Sequence, residues 1–168
     1  TSDGFFDLEV QPQKAVVLGA GYIAVEMAGI LHGLGTETHL CFRGETVLRR
    51  GFDKFIVETL MAHMSEHGPI LKPGATPARV DIDPQTRLKT VVFEDGSSIS
   101  GVDCVLFATG RTPVTDLLRM ENTGVTLSKG YIVVDEKEAT NVPGGLETVA
   151  LFTCMFATDP SHCISSAS

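Results

Sequence analysis

No apolar run in the sequence reaches the ~18–20 residues that a bilayer-spanning helix needs, so no helical membrane anchor is expected. The first residues, "TSDGFFDLEV", have neither a basic start nor an apolar stretch and do not read as a signal peptide. They also lack an initiating methionine, and the sequence reads as cut from something longer. Basic charge is scarce: 13 Lys and Arg stand against 21 Asp and Glu, a formal net charge of −8. A phosphate backbone calls for a basic surface, so general nucleic-acid binding is disfavoured. None of the four cysteines, Cys41, Cys104, Cys154 and Cys163, has C-x-x-C spacing. Cys41 and Cys104 sit in apolar strand-like runs, where a buried reduced thiol is expected, and nothing demands an oxidising compartment. Neither of the two tyrosines, Tyr22 and Tyr131, has a lysine four residues later. The Tyr-x-x-x-Lys pair with which a short-chain dehydrogenase does hydride chemistry is therefore missing. No Ser/His/Asp set and no internal repeat declares itself.

What is present is a core. With 168 residues, 43% of them hydrophobic, the chain fits one domain or one and a fraction. "KAVVLG" (Lys14 to Gly19) reads as a buried strand entering a glycine turn. A helix is expected from Tyr22 to Leu34, with Gly29 and Gly33 allowing close packing and Gly35 as its C-terminal cap. "ETHLCF" (Glu37 to Phe42) is a second strand, followed by the basic loop "RGETVLRRG". Asp53 is placed to cap a helix reaching about His67, with Phe55, Ile56, Thr59, Leu60 and His63 on one side. "GPILKPG" holds a short third strand between breakers. "ARVDID", "LKTVVFEDGSSI" and "VDCVLFATG" then read as an antiparallel meander, turning at Asp83-Pro84 and Asp95-Gly96, that feeds a last buried strand, Cys104 to Ala108. Asp81 and Asp83 alternate in a strand and are expected to face water. The whole predicts an α/β, Rossmann-like dinucleotide-binding domain: a parallel sheet with a β-meander crossover. After Arg111 the character shifts. "LSKGYIVVDE" reads as a hairpin around Lys129-Gly130. The tail "LFTCMFATDPSHCISSAS" shows no period and is assigned no structure.

Gly19, Gly21 and Ala24 form G-x-G-x-x-A between a strand and a helix. Gly19 permits the tight turn, Gly21 lets a pyrophosphate approach the backbone, and Ala24 keeps the helix close to the strand. Phosphates would sit on the N–H groups at the positive end of the helix. A turn that merely packs, or an S-adenosylmethionine site of the same topology, remains the alternative. The end of the second strand separates cofactors. NAD and FAD sites usually place an acid there, about 20 residues on, for the ribose hydroxyls. This sequence offers Phe42-Arg43, with Arg49 and Arg50 in the same loop. Guanidiniums clustered in an acidic protein suit a 2′-phosphate, since each binds it through a planar fork. The reading is NADP over NAD. Glu45 competes as a ribose ligand but lies in the loop, and a solvated basic loop is the bland alternative. His63, Glu66 and His67 spell H-x-x-E-H, a zinc-protease pattern in inverted order. No third ligand is evident, and ordinary helix-face residues are the expectation.

Taken together, "TSDGFF", "GAGYIAVEMAGIL", "R…VLR", "ATGRTP" and "GYIVVDE…TNV" resemble the glutathione reductases, flavoprotein pyridine nucleotide-disulfide oxidoreductases. Trypanothione reductase and thioredoxin–glutathione reductase are near relatives. The resemblance covers roughly Thr1 to Pro143. It implies that Gly19, Ala20, Gly21, Ile23 and Glu26 line an NADPH site, that Tyr22 gates the nicotinamide pocket, and that Glu26 sits near the carboxamide. It gives Arg43 and Arg49 the 2′-phosphate and lets Gly110 close over the cofactor with Arg111 beside it. The family often has His after the first arginine. Here Gly44 stands there, and a slightly weaker phosphate grip is expected.

The family's FAD fingerprint, its C-x-x-x-x-C redox disulfide and its His-Pro-x-x-x-E motif are absent from these residues. The resemblance stops near Gly145, where truncation or a changed reading at a splice boundary is the expected cause. The implied division is 1–13 as linker from an FAD domain, 14–112 as NADPH-binding domain, 113–145 as a partial central or FAD-domain segment, and 146–168 as a divergent, disordered tail. Without its FAD-domain partner, the apolar run Tyr131 to Val134 is expected to lie exposed. The implied reaction runs from NADPH through FAD and a redox disulfide to glutathione disulfide, in a homodimer whose interface domain is not in this sequence. The implied location is the cytoplasm, with an organellar form left open. The chain alone is expected to be inactive. A non-catalytic NADP-binding fragment, the NADPH domain of a related disulfide reductase (trypanothione or thioredoxin–glutathione reductase) and a single-domain NADP-dependent dehydrogenase are the alternatives.

Overall fold

The computed structural model describes residues 2–49, 51–110 and 113–143. The chain divides into two compact units, Thr1–Thr109 and Gly110–Ser168.

The first unit is built on four parallel strands, β1 (Lys14–Leu18), β2 (Glu37–Cys41), β3 (Ile70–Lys72) and β7 (Cys104–Phe107), in the order β3-β2-β1-β7. A sheet covered on both faces has apolar residues at every position rather than at alternate ones. β1 shows the reason: Ala15 and Val17 join the core on one face, Val16 and Leu18 the core on the other, and all four are buried. On the first face lie two helices, α2 (Tyr22–Gly33) and α3 (Lys54–His67). On the second lies the antiparallel meander β4 (Pro77–Ile82), β5 (Lys89–Phe93) and β6 (Ser98–Val102), which supplies Val91, Phe93 and Val102 to the core. The meander is the crossover into β7, so the unit is the Rossmann-like α/β fold expected from the sequence.

α2 ends as its sequence requires. Gly35 adopts φ +88, its N–H donates to His32 O, and the Thr36 N–H donates to Leu31 O. Those two bonds make a Schellman cap, which needs the left-handed residue that glycine supplies. Gly29 and Gly33 do not serve close packing: both are exposed, and no described atom lies within 4 Å of a Cβ built at either.

α3 starts at the expected cap, with Asp53 Oδ1 accepting from the Phe55 N–H at 2.8 Å. Its buried side is not the expected one. Phe55 is 72% exposed and Ile56 53%, while Thr59 and His63 are also exposed. Val57 and Met64 are buried instead, with Leu60 and Met61 packed beside them. Both stripes have helical spacing, but only the second is apolar throughout. Burying the first would desolvate the His63 imidazole and the Thr59 hydroxyl. Thr59 satisfies that hydroxyl locally, donating to Phe55 O at 2.8 Å. Met64→Ala is therefore expected to lose about 2–4 kcal/mol through the cavity it leaves. Phe55→Ala should stay within about 0.5 kcal/mol. Urea unfolding of the two variants checks the assignment, and the reverse ranking would overturn it.

Ser2–Phe6 form a short helix, α1, and Phe5 packs against the helix-side core. Asp83 lies just past β4, in the turn, where its carboxylate accepts from the Gln85 and Thr86 N–H groups. Those backbone bonds, Thr86 first, hold it below the usual aspartate range.

In the second unit, β8 (Leu127–Ser128) and β9 (Tyr131–Ile132) form the expected hairpin. Lys129 and Gly130 take φ +50 and +85, the twist that a two-residue hairpin turn favours. The run Tyr131–Val134 is not left exposed. Ile132 and Val134 are each 5% exposed and cluster with Met120 and Val125. The segment closes a small core of its own. The tail 146–168 lies outside the described residues.

Candidate functional site

The glycine turn sits at the carboxyl end of β1, between β2 and β7. Strands leave β1 in opposite directions there, and the crevice at such a switch point is where open α/β sheets bind ligands. Gly19 is held from both sides: its N–H donates to Cys41 O at 3.0 Å, and the Ala108 N–H donates to Leu18 O at 2.8 Å. Its φ is +148, and a Cβ built on it would run into the Ala108 carbonyl oxygen and come within 3.2 Å of the Ala24 Cβ. Ala24 itself is fully buried. The fold therefore demands Gly19 and a small residue at Ala24.

Gly21 differs. It is the N-cap of α2 at φ −80 and ψ 172, an ordinary extended conformation. A Cβ there would meet no described atom within 4 Å. Nothing inside the described chain requires a glycine at this position, so a requirement for one comes from what approaches it.

The two longer helices treat their N-termini differently. α3 fills its own with the Asp53 carboxylate. α2 has no side-chain cap and no acid in its first turn. Its first N–H groups and the positive end of its dipole face outward without an internal anion.

The basic loop after β2 is fixed to this turn. The Leu48 N–H donates to Ala20 O at 2.7 Å, with Leu48 at φ +51. Val47 and Leu48 are buried in the helix-side core. Farther back, the Gly44 carbonyl accepts from the Gly74 N–H at 3.1 Å. Arg43 and Arg49 flank these anchors and are exposed. Among the described residues neither guanidinium has an ion pair or hydrogen bond, whereas Lys14, Lys54 and Arg79 of the same unit pair with Glu37, Glu58 and Asp81. The anchor was missed in the sequence, although an apolar Val47-Leu48 pair inside a polar loop was its signal.

The other expected residues fall as follows. Tyr22 is 45% exposed, and Glu26 lies one turn on along the same exposed side of α2. Ala20 and Ile23 are half-buried and lean on the helix-side core. Gly110 opens the second unit. Arg50 and Arg111 lie outside the described residues. Glu45 is exposed at the loop surface. His63 and His67 stack at 5.2 Å, and among the described residues no group of three or more His, Cys, Asp or Glu gathers around them.

Cys41 and Cys104 are free thiols. Burial pushes Cys41 up to about 11, with Lys72 opposing, and it raises Cys104, with Lys89 opposing. Neither is a ready thiolate at neutral pH. Among the described residues no helix is long and apolar enough to cross a membrane.

Comparison with known proteins agrees with this geometry. The sequence model for pyridine nucleotide-disulphide oxidoreductases matches residues 1–144. Glutathione reductase of Schizosaccharomyces pombe is 42% identical over 144 residues, covering 84% of this chain and 30% of that protein. Glutathione reductase of Yarrowia lipolytica is 38% identical over 143 residues, with the same coverage of 84% and 30%. Among solved structures, the Cu(II) complex of the HOCl-induced flavoprotein disulfide reductase RclA from Escherichia coli superimposes with a TM-score of 0.72 at 26% identity, covering 87% of this chain and 33% of that one. The chain thus spans about a third of the length of the relatives it matches. With its parallel sheet, glycine turn and 144 matched residues, it belongs to the pyridine nucleotide-disulphide oxidoreductase family.

Proposed function

We propose that the first unit is the NADPH-binding part of a glutathione-disulfide reductase. The observation that carries this reading is the pair of guanidiniums, Arg43 and Arg49, which have no partner among the described residues, in a loop tied to the glycine turn by the Leu48–Ala20 bond. The residues fit the cofactor. Gly21 leaves room for a pyrophosphate over the α2 N-terminus, whose N–H groups have no internal cap. Arg43 and Arg49 take the 2′-phosphate through charge-assisted bonds. Tyr22 and Glu26 flank the nicotinamide side, and Tyr22 covers or opens it by rotating about χ1.

NADPH supplies a hydride when bound. This chain's residues bind and orient it and keep water from its reacting face. Cys41 and Cys104 do not serve as the redox disulfide of such an enzyme: they are free thiols, and burial favours the protonated form of each. The substrate of the longer protein is glutathione disulfide by likeness to the two reductases above, and the chain alone is inactive.

Calorimetric titration with NADPH and NADH tests the binding. NADPH is expected to bind at least about 100-fold more tightly, the equivalent of two charge-assisted bonds. Equal affinities would overturn the reading. Turnover of glutathione disulfide by the chain with added FAD would overturn the inactivity.

A further inference from the structure

We propose that Gly44 is a specificity-determining positioning residue: by lacking a side chain, it opens the slot in which the Arg49 guanidinium rests against the loop. A Cβ built on Gly44 would lie 2.9 Å from Arg49 Cζ, 2.9 Å from its Nε and 3.0 Å from one terminal nitrogen. Those distances are shorter than carbon makes with any neighbour at rest, so the two groups cannot share the space. Gly44 is not in the positive-φ region, so its backbone accepts an ordinary residue. The three nearest atoms a Cβ there would meet all belong to Arg49.

The slot has firm walls. The Gly44 carbonyl is held by the Gly74 N–H, and the residue before Arg49 is buried and bonded to Ala20 O. A substitution at Gly44 cannot push the loop aside and instead displaces the side chain that is free to move. A guanidinium resting on this platform has fewer rotamers to lose when an anion arrives. Pre-ordering of this kind raises affinity without adding a contact. The sequence suggested that a glycine here weakens the phosphate grip. The geometry points instead to an exchange, in which the second arginine occupies the room a side chain would take.

The consequence for binding rests on the NADPH reading above, whereas the displacement of Arg49 does not, and the test separates the two. In the 168-residue chain, Gly44→Ala is expected to weaken NADPH binding about 3- to 10-fold, the cost of leaving one long side chain unordered. NADH affinity and the thermal midpoint should not move. In an Arg49→Ala background the same substitution should change NADPH affinity by less than about 2-fold, since coupled residues lose their effect when the partner is gone. The Arg49 Nε–H signal in nitrogen-15 spectra, assigned by its loss in Arg49→Lys, should shift in Gly44→Ala without any nucleotide. Unchanged NADPH affinity in Gly44→Ala, or an equal loss in both backgrounds, would overturn the proposal. If the wild-type chain fails to prefer NADPH, the nucleotide reading falls, and an unmoved Arg49 signal would still overturn the slot.

Discussion

Gly19→Ala is expected to destabilise the fold severely, by about 2–6 kcal/mol. The added methyl group meets the Ala108 carbonyl, and that carbonyl cannot retreat. Ala108 is the first residue after β7, and its own N–H is bonded to Leu18 O. Gly19 cannot retreat either, because its N–H is bonded to Cys41 O across β2. Relief requires separating β1 from one of its two neighbours at the carboxyl end of the strand. To this clash is added a backbone conformation, φ +148, that residues with a side chain rarely adopt. Strain of that kind alone costs about 1–3 kcal/mol, and overpacking adds a similar amount. Set against a typical domain stability of about 5–15 kcal/mol, a sum of about 2–6 kcal/mol removes a large part of it. Circular dichroism and urea unfolding of the soluble fraction provide the measurement, and a wild-type midpoint would refute the geometry. Gly21→Ala is the control. It should fold normally, because no described atom opposes its Cβ, yet lose nucleotide affinity by crowding the pyrophosphate. Two glycines of one motif thus separate into one that the fold needs and one that the ligand needs.

That separation marks what was legible in the sequence. The β1 run, the G-x-G-x-x-A turn, the Gly35 cap and the Lys129-Gly130 hairpin depend on residues within a few positions of each other, and local chemistry decides them. The α3 face was not legible, because Phe55, Ile56 and Leu60 have the same spacing as Val57, Leu60, Met61 and Met64. Only the position of the sheet shows which stripe it meets. Gly29 and Gly33 suggested a close helix approach, but no described neighbour comes near them. The run Tyr131–Val134 looked stranded because its partners, Met120 and Val125, lie in a stretch with no clear strand or helix pattern. In the candidate site, the arginines were visible as charge. Their fixing was not. A buried Leu48 at positive φ, bonded to Ala20, is a tertiary contact that no periodicity reports. The same holds for the guanidinium of Arg49 over Gly44.

The double substitution Arg43→Ala/Arg49→Ala is expected to abolish the preference for NADPH while leaving the fold intact. Neither guanidinium is paired among the described residues, so truncation leaves no buried partner behind. Stability should change by no more than about 0.5 kcal/mol, as for other exposed positions. Binding should change far more. Each charge-assisted bond to a phosphate contributes about 1.5–3 kcal/mol, so losing both weakens NADPH binding by at least about 100-fold. NADH has no 2′-phosphate for the two guanidiniums to bind, so its affinity should remain within about 2-fold. Salt supplies a second signature. The wild-type preference for NADPH should shrink as ionic strength rises, because exposed charges are screened over about 10 Å at 0.1 M. The double variant should show no such dependence. Calorimetry with both nucleotides, at low and high salt, reads all of these quantities. A parallel loss of NADPH and NADH affinity would point to damage of the turn rather than removal of a clamp. Unchanged NADPH affinity would remove the arginines from the site, and with them the distinction between an NADPH turn and any other dinucleotide turn.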